Sequence, residues 1–186
     1  SCMGGFVEGE LTGTAPDAHY YLFVTEDVTQ ENPVEESYWV EAAEEADRLG
    51  VDVISTSLGY YQFDNLNYGH TYDEFTGDEA FASKGANIAF TKGMIVVASA
   101  GNSGGANEPL NHVGVPAEAT NVLAVGAVKA DEAYATFSSV GPSYDGRIKP
   151  DVMAQGQASV VANTSGTIQT ASGTSFSCPI MAGMIT

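Results

Sequence analysis

The sequence predicts an α/β fold in which helices flank a parallel β-sheet. Segments typical of strands and of helices alternate along the chain, which is the order that such a sheet requires. The strand-like segments are short, continuous apolar runs, as expected of strands buried on both faces. The length also fits, because 186 residues, 44% of them apolar, can bury a large core and are expected to form one domain over residues 1–186.

Hydrophobic periodicity predicts the individual elements. Residues 18–24 are predicted to form a strand, and residues 35–49 a helix that ends at Gly50. A short buried strand is predicted within residues 50–59, and a second helix over residues 78–92. The first helix is amphipathic, with an apolar face of Trp39, Ala42, Ala46 and Leu49 and a face that carries most of Glu41, Glu44, Glu45 and Asp47.

Charge limits the partners of this protein. The chain carries 24 acidic and 6 basic residues, which gives a formal net charge of −18. Such a field repels nucleic acid and anionic membranes and attracts basic substrates, so we expect no nucleic-acid partner. We interpret the charge as a source of solubility, with a salt-adapted source organism as the alternative. No apolar run reaches the roughly 18 residues of a membrane span, and we expect no span in this segment.

Residues 173–179, Gly-Thr-Ser-Phe-Ser-Cys-Pro, carry the first candidate site residue. They precede an apolar run, which predicts a loop that turns into a buried helix with Ser175 in its first turn. A hydroxyl there faces unpaired backbone N–H groups and the positive end of the helix dipole. This environment suits an attacking serine, because charge that develops on a carbonyl oxygen meets donors already in place. The alternative is an ordinary turn and helix cap.

A second candidate follows the apolar run that begins at Met94 and predicts a buried strand. The run ends in a glycine-rich turn that displays Asn102. Ligands of open α/β sheets bind beyond the carboxyl ends of the strands, and a side-chain amide is a neutral donor suited to a developing oxyanion. The alternative is that Asn102 only adopts a left-handed turn conformation beside glycines.

A third candidate is the small-residue turn Ser57-Leu58-Gly59, at the end of the strand predicted within residues 50–59. Its backbone edges carry little side-chain bulk, so an extended peptide could bind there by adding a strand. Without the other two segments, the turn would be an ordinary strand end.

These three segments, in this order, resemble motifs of the subtilase family of serine endopeptidases. Residues 173–175 with Pro179 resemble the nucleophile motif, and residues 99–102 resemble the strand end that forms the oxyanion hole. The resemblance implies a subtilisin-like fold and cleavage of polypeptides through an acyl-enzyme on Ser175, with Asn102 holding the oxyanion. It also implies a set of substrate-binding residues: Ser57, Leu58, Gly59, Ser99, Ala100, Gly101 and Thr174.

Further segments extend the resemblance to nearly the whole chain, apart from a stretch near residues 60–77. They are residues 13–18, 115–117, 122–127, 137–142 and 149–154. The resemblance also implies a protein that is secreted or bound to the cell envelope. Family members often bind calcium, but the sequence assigns no ligands to it, and we expect no other metal or cofactor.

Two motifs of the family are missing: the strand with its catalytic Asp, and the His-Gly-Thr pattern that opens a helix. We expect His19, His70 and His112 each to be structural or exposed. The chain is therefore expected to begin just after the catalytic His motif and to end within the helix that follows Ser175. Upstream sequence of the same domain, or another chain, would supply Asp and His, and the chain alone would be inactive.

Two other functions compete with this interpretation. A non-catalytic relative would keep the cleft as a peptide-binding module without a triad. A nucleotide-binding protein built on the glycines of residues 101–105 fits less well, because these glycines match no phosphate loop and no lysine follows them.

The aromatic and acidic loop of residues 60–75 departs from the family pattern. Such a loop either walls the cleft or packs its rings against the body of the protein, and we favour packing.

Cys2 and Cys178 lie at opposite ends of the sequence, and neither has a metal-ligand partner at useful spacing. The resemblance implies that they lie on two helices that pack together. We expect buried free thiols. A disulfide is the alternative, and it requires Cα atoms within about 7 Å.

Overall fold

The computed structural model describes all 186 residues. The strands are Phe6–Val7 (β1), Leu11–Thr12 (β2), Val53–Thr56 (β3), Ile95–Ser99 (β4), Val122–Val128 (β5), Val152–Gln155 (β6), Ser159–Ala162 (β7) and Ile168–Ala171 (β8). The α-helices are Val34–Leu49 (α1), Phe81–Thr91 (α2) and Thr174–Ile185 (α3). None of these helices combines the length and the apolar content that crossing a membrane would need.

Four strands form one parallel sheet in the order β3-β4-β5-β6. Helix α2 connects β3 to β4, as expected of a parallel pair with a crossover helix. The predicted fold class, a parallel sheet flanked by helices, is confirmed. Two small antiparallel pairs, β1 with β2 and β7 with β8, lie outside this sheet.

Alternate residues of the sheet belong to two different cores. Val96 and Ala98 of β4 pack in a core with Trp39 of α1, whereas Val97 packs in a second core with Cys178 of α3. The period of two arises because successive side chains of a strand point to opposite faces. Since helices cover both faces of β4, its apolar run is continuous, as the sequence predicts.

Helix α1 confirms the prediction for residues 35–49 to within one residue. Gly50 ends the helix in a left-handed conformation, with φ 74°, and its N–H bonds to the carbonyl oxygens of Ala46 and Asp47. Glycine adopts this conformation without a steric penalty from Cβ, which is why the helix stops here.

The buried face of α1 differs in part from the predicted one. Trp39 is buried as predicted, but Ala43 is buried where the sequence favours Ala42. Glu35 and Glu36, in the first turn, are also buried. Carboxylates are almost never buried without partners, so these two must find hydrogen-bond donors elsewhere in the fold.

Helix α2 begins at Phe81, later than the predicted residue 78. Its start receives a carboxylate from α1, because Oε2 of Glu36 accepts a hydrogen bond from the N–H of Ala82 at 2.9 Å. N–H groups in the first turn have no partner within their helix, and a negative charge there also complements the helix dipole. The start of α2 therefore depends on a tertiary contact that periodicity does not reveal.

The predicted strand over residues 18–24 is wrong, because these residues pair with no strand. β3 is the edge of the parallel sheet. A cavity of about 780 Å³, here called the open slot, is lined by residues 18–26, except Val24, and by residues 51–58 and α1. Leu22 and Val24 are 91% and 94% exposed. A strand needs a neighbour for its backbone hydrogen bonds, and residues 18–24 have none.

Candidate active site

Ser175 lies where the sequence predicts it, in the first turn of α3. Its hydroxyl donates a hydrogen bond to the carbonyl oxygen of Ser57 at 3.1 Å, and the Ser57 hydroxyl donates in return to the carbonyl oxygen of Ser175 at 3.0 Å. This reciprocal pair joins the start of α3 to the segment that follows β3. The N–H of Ser175 belongs to the first turn, where helix N–H groups have no partner within the helix.

Asn102 follows β4 and is held against the start of α3. Its Oδ1 accepts hydrogen bonds from the backbone N–H of Thr174 at 2.8 Å and from the Thr174 hydroxyl at 3.1 Å. These bonds orient the amide, because Oδ1 must face both donors. Nδ2 is therefore left as a neutral donor on a residue that is exposed to solvent.

Gly101 makes the turn that presents Asn102. Its φ is 103°, and a Cβ atom at this position would lie 2.8 Å from Oγ of Ser139. A side chain would therefore be strained here, which explains the glycine. The N–H of Gly101 donates to the hydroxyl of Thr174 at 3.2 Å, so the fully buried Thr174 binds both residues of the turn.

A cavity of about 200 Å³, here called the site cavity, opens beside these groups. All nine predicted site residues line it: Ser57, Leu58, Gly59, Ser99, Ala100, Gly101, Asn102, Thr174 and Ser175. The fold thus brings three distant segments of the sequence to one place. The catalytic and substrate-binding roles of these residues stay predictions.

The site cavity has further lining residues that the sequence does not predict, among them Tyr60, Tyr61, His112 and Val115. Two backbone hydrogen bonds, of 2.8 and 3.2 Å, join Tyr60 to Val115. Tyr60 and Tyr61 form one wall of the cavity, here called the Tyr61 wall. The departure of residues 60–75 from the family pattern is the sequence signal that could have predicted it. The sequence left two roles open for this loop, lining the cleft or packing against the body of the protein. The loop does both, because Tyr61 lines the cavity while other rings of the loop are buried in the core.

No imidazole contacts Ser175. His19 is exposed, and His70 lies between two carboxylates. His112 lines the site cavity, but its Nδ1 contacts the carbonyl oxygen of Pro142 at 2.9 Å. Each histidine is thus exposed or held by structural contacts, as the sequence predicts. Ser175 has no general base among them.

Both cysteines are free and buried, as predicted. Sγ of Cys178 contacts the carbonyl oxygens of Thr56 at 3.3 Å and Val97 at 3.5 Å, so the thiol packs against the sheet. Burial raises the pKa of Cys178 to about 12 and also raises the pKa of Cys2. Because the thiolate is the reactive form, the two thiols are expected to be inert in the folded protein.

Three carboxylates, of Glu26, Glu31 and Glu35, have oxygens within 4.8 Å of one another. The two oxygens of the buried Glu35 already accept backbone hydrogen bonds, from Asp27 at 2.8 Å and from Asn32 at 3.1 Å. These bonds account for the buried carboxylate without an ion. We assign no metal to this group, and the calcium that the resemblance implies stays without ligands.

Comparison with known proteins decides the family. The model of the Subtilase family matches residues 2–186. The chain belongs to the subtilase family. Subtilisin DY from Bacillus licheniformis is 37% identical over 144 residues, which cover 77% of this chain and 44% of that protein. The human membrane-bound transcription factor site-1 protease is 30% identical over 196 residues, which cover 98% of this chain and 17% of that protein.

Solved structures agree with this fold. The self-cleaved protease domain of PatA matches with a TM-score of 0.75 at 24% identity, covering 98% of this chain and 61% of that chain. The prenylagaramide maturation protease PagA matches with a TM-score of 0.60 at 26% identity, covering 80% of this chain and 47% of that chain. The chain therefore has the sequence and the fold of the subtilase family, and it spans less than half the length of the two curated relatives named above.

Proposed function

We propose that this chain is the part of a subtilisin-type serine endopeptidase that carries the nucleophile and the oxyanion donors. Ser175 attacks the scissile carbonyl of a polypeptide and forms an acyl-enzyme, which water then hydrolyses. The amide of Asn102 and the N–H of Ser175 donate to the oxyanion of the tetrahedral intermediate. Residues 57–59 and 99–101 bind the extended substrate on either side of the scissile bond.

One observation carries this proposal: a hydroxyl and an amide from distant segments meet through Thr174. The two hydrogen bonds that Thr174 donates to Asn102 hold the amide beside the residue that precedes Ser175. Both side chains line the site cavity. An ordinary helix cap would account for residues 173–179, but it would not account for an amide donor left free beside the serine.

The catalytic His and Asp are proposed to come from sequence outside this chain. The Ser175 hydroxyl donates to a carbonyl oxygen, which cannot act as a general base. The open slot supports the same proposal, because it borders the edge strand β3, and β3 leads directly to Ser57. A strand in the slot would pair with β3 on one side and with residues 18–24 on the other. In the family, the catalytic Asp lies on a strand inside the sheet.

The chain alone is therefore expected to show no efficient peptidase activity. The test compares this chain with a longer protein from the same gene, using a fluorogenic peptide and a fluorophosphonate that labels activated serines. We expect turnover and labelling only in the longer protein. Ser175→Ala should abolish both, and Ser165→Ala, at an exposed hairpin serine, should change neither.

Two outcomes would contradict the proposal. Inhibitor-sensitive turnover by the chain alone, abolished by Ser175→Ala, would show that the base does not come from outside. A longer protein that cleaves peptides after Ser175→Ala would remove Ser175 as the nucleophile.

A second candidate function is that of a peptide-binding module without catalysis. The reciprocal hydrogen bonds between Ser57 and Ser175 favour it, because they occupy the hydroxyl in the chain as it stands. The sequence upstream of Ser1 in the gene discriminates between the two functions. An Asp strand motif and a His-Gly-Thr motif there predict a protease, and their absence predicts a module that binds peptides in the site cavity without cleaving them.

By family, we further propose a polypeptide substrate and a location outside the cell or in its envelope. Two of the structural neighbours, PatA and PagA, are named as maturation proteases. The net charge of −18 favours substrates with basic residues. Profiling the longer protein against peptide libraries, with basic and acidic sequences matched in length, tests this preference.

A further inference from the structure

His70 joins the loop that walls the site cavity to the body of the protein. Its Nε2 lies 2.8 Å from Oε1 of Glu36, and its Nδ1 lies 3.1 Å from Oε2 of Glu74. The side chain of His70 is 12% exposed and that of Glu36 only 5%. Ionised carboxylates only accept hydrogen bonds, so both ring nitrogens have to donate. The geometry is that of a protonated imidazole between two carboxylates.

The surroundings of His70 favour its charged form. Burial by itself would lower the pKa of His70, but the hydrogen bonds and charges of Glu36 and Glu74 outweigh burial and raise this pKa above its ordinary value. Glu36 comes from α1 and Glu74 from the same loop, and Phe63 and Phe75 lie beside the ring with centroids at 6.0 and 6.4 Å. Neither carboxylate forms an ion pair with a lysine or arginine.

A short chain of contacts leads from His70 to the site cavity. The backbone N–H of His70 donates to the carbonyl oxygen of Tyr61 at 2.8 Å. The ring of Tyr61 packs edge-on against Phe75, with centroids 4.8 Å apart, and Tyr61 lines the site cavity. At the other end, Glu36 binds the N–H of Ala82 at the start of α2. His70 therefore connects α1, α2 and the cavity wall.

We propose that protonated His70 is a positioning residue for the Tyr61 wall of the site cavity, and that loss of its proton as the pH rises releases this wall. A neutral imidazole has one N–H, so after deprotonation one ring nitrogen would turn a lone pair towards a carboxylate oxygen. If Nε2 loses the proton, Glu36 stays buried with the N–H of Ala82 as its remaining donor. If Nδ1 loses it, the hydrogen bond from His70 to Glu74 within the loop is lost instead. The effect on substrates rests on the proposed function, whereas the release of the wall does not.

The sign of the pH effect follows from the raised pKa of His70. Its contribution to stability is fully present below the ordinary histidine pKa of about 6.5. The contribution is lost as the pH rises through the higher pKa of the folded protein. The wall is therefore held in place below the ordinary histidine pKa and released once the pH exceeds the raised pKa of His70.

An NMR titration of the chain tests the coupling between His70 and Tyr61. His70→Gln assigns the imidazole signals of His70. We expect His70 to titrate above the ordinary histidine pKa of about 6.5, the ring signals of Tyr61 to shift with the same midpoint, and this step to vanish in His70→Gln. Tyr61 signals that stay constant while His70 titrates would overturn the proposal, and so would a His70 midpoint that is not above that ordinary value.

Glu74→Gln provides a second variant should His70→Gln fail to fold. It keeps an acceptor near Nδ1 but removes the charge, at a side chain that is 41% exposed. We expect the shared midpoint of His70 and Tyr61 to move to lower pH, because the neutral amide stabilises the imidazolium less than a carboxylate does. Glu44→Gln, on the exposed face of α1, is the matched control and should leave the midpoint unchanged. An unchanged midpoint in Glu74→Gln contradicts the proposal.

In the longer protease, release of the wall should weaken substrate binding. We expect KM to rise above the His70 midpoint with little change of kcat from this step, and His70→Gln to show the high KM at all pH values. A KM that does not follow the midpoint would refute the effect on substrates. Absence of proteolysis would instead count against the proposed function and would leave the NMR result for His70 standing.

Discussion

The end of β3 has neighbours of this chain on one side, towards β4 and α3, but not on the other, towards the open slot. On the side of β4 and α3, hydrogen bonds join Asn102 to Thr174, and Ser175 to Ser57, which directly follows β3. On the other side, the edge of β3 faces the open slot and the unpaired residues 18–24. The contrast shows that contacts within this chain hold Asn102 and Ser175 in place, whereas nothing in the chain pairs with the outer edge of β3. Under the proposed function, the first side provides the oxyanion donors and the second receives the strand with the catalytic Asp.

The largest expected effect is a loss of kcat on substitution of Asn102, on the side of β4 and α3. Asn102→Ala in the longer protease should lower kcat by about 10²–10³, the range known for this kind of donor in subtilisin. KM should change much less, because the donor acts on charge that develops in the transition state. Steady-state kinetics check this, with Asn67→Ala at an exposed loop position as the control. A comparable change in kcat and KM, or none in either, would remove Asn102 from the oxyanion role.

A pair of valine substitutions compares the packing of the two sides. Val97 is fully buried against α3, and Val97→Ala should lower the free energy of unfolding by roughly 2–3 kcal/mol. Val53 packs at the edge of the same core but is half-buried and lines the open slot, so Val53→Ala should lower the free energy of unfolding by only about 1 kcal/mol. Urea denaturation of the chain measures both values. Equal losses would show that the slot side packs as well as the α3 side.

A buried hydrogen bond tests β3, which borders both sides. The Thr56 hydroxyl accepts a hydrogen bond from Nε1 of Trp39 at 3.1 Å, and both residues are buried. Thr56→Val keeps the shape but leaves the indole N–H without a partner, which should cost about 1–2 kcal/mol. Thermal unfolding followed by Trp39 fluorescence checks this, with the exposed Thr164→Val as control. An unchanged melting temperature would mean that another acceptor replaces Thr56.

Local sequence predicts the elements whose partners lie within the chain. α1, its end at Gly50 and the Ser175 turn follow from periodicity and from glycine conformation, which act over a few residues. The strand predicted over residues 18–24 fails because a strand also requires a neighbour, and the strand-like pattern does not report whether one is present. The sequence does not predict the late start of α2 for a related reason, because the carboxylate that binds this start belongs to Glu36 of another helix.

The nine site residues were predictable from sequence motifs, whereas the other lining residues of the cavity and the contact between Glu36 and His70 were not. Recurrent motifs mark Ser175 and Asn102, because the chemistry proposed for them uses a hydroxyl at a helix start and an amide at a strand end. No local pattern connects Glu36 with His70, which are 34 positions apart and meet only through the packing of the loop on α1.

By itself, the sequence determined the alternation of strands and helices, the glycine turns, and the hydroxyl and amide that chemistry requires, since each depends on short-range backbone preferences or on side-chain type. Only the tertiary structure decided which strand edge stays unpaired, which carboxylates are buried, and that Thr174 joins Asn102 to α3. These outcomes depend on distances between segments far apart in the chain, and such distances are set when the two cores pack on the sheet.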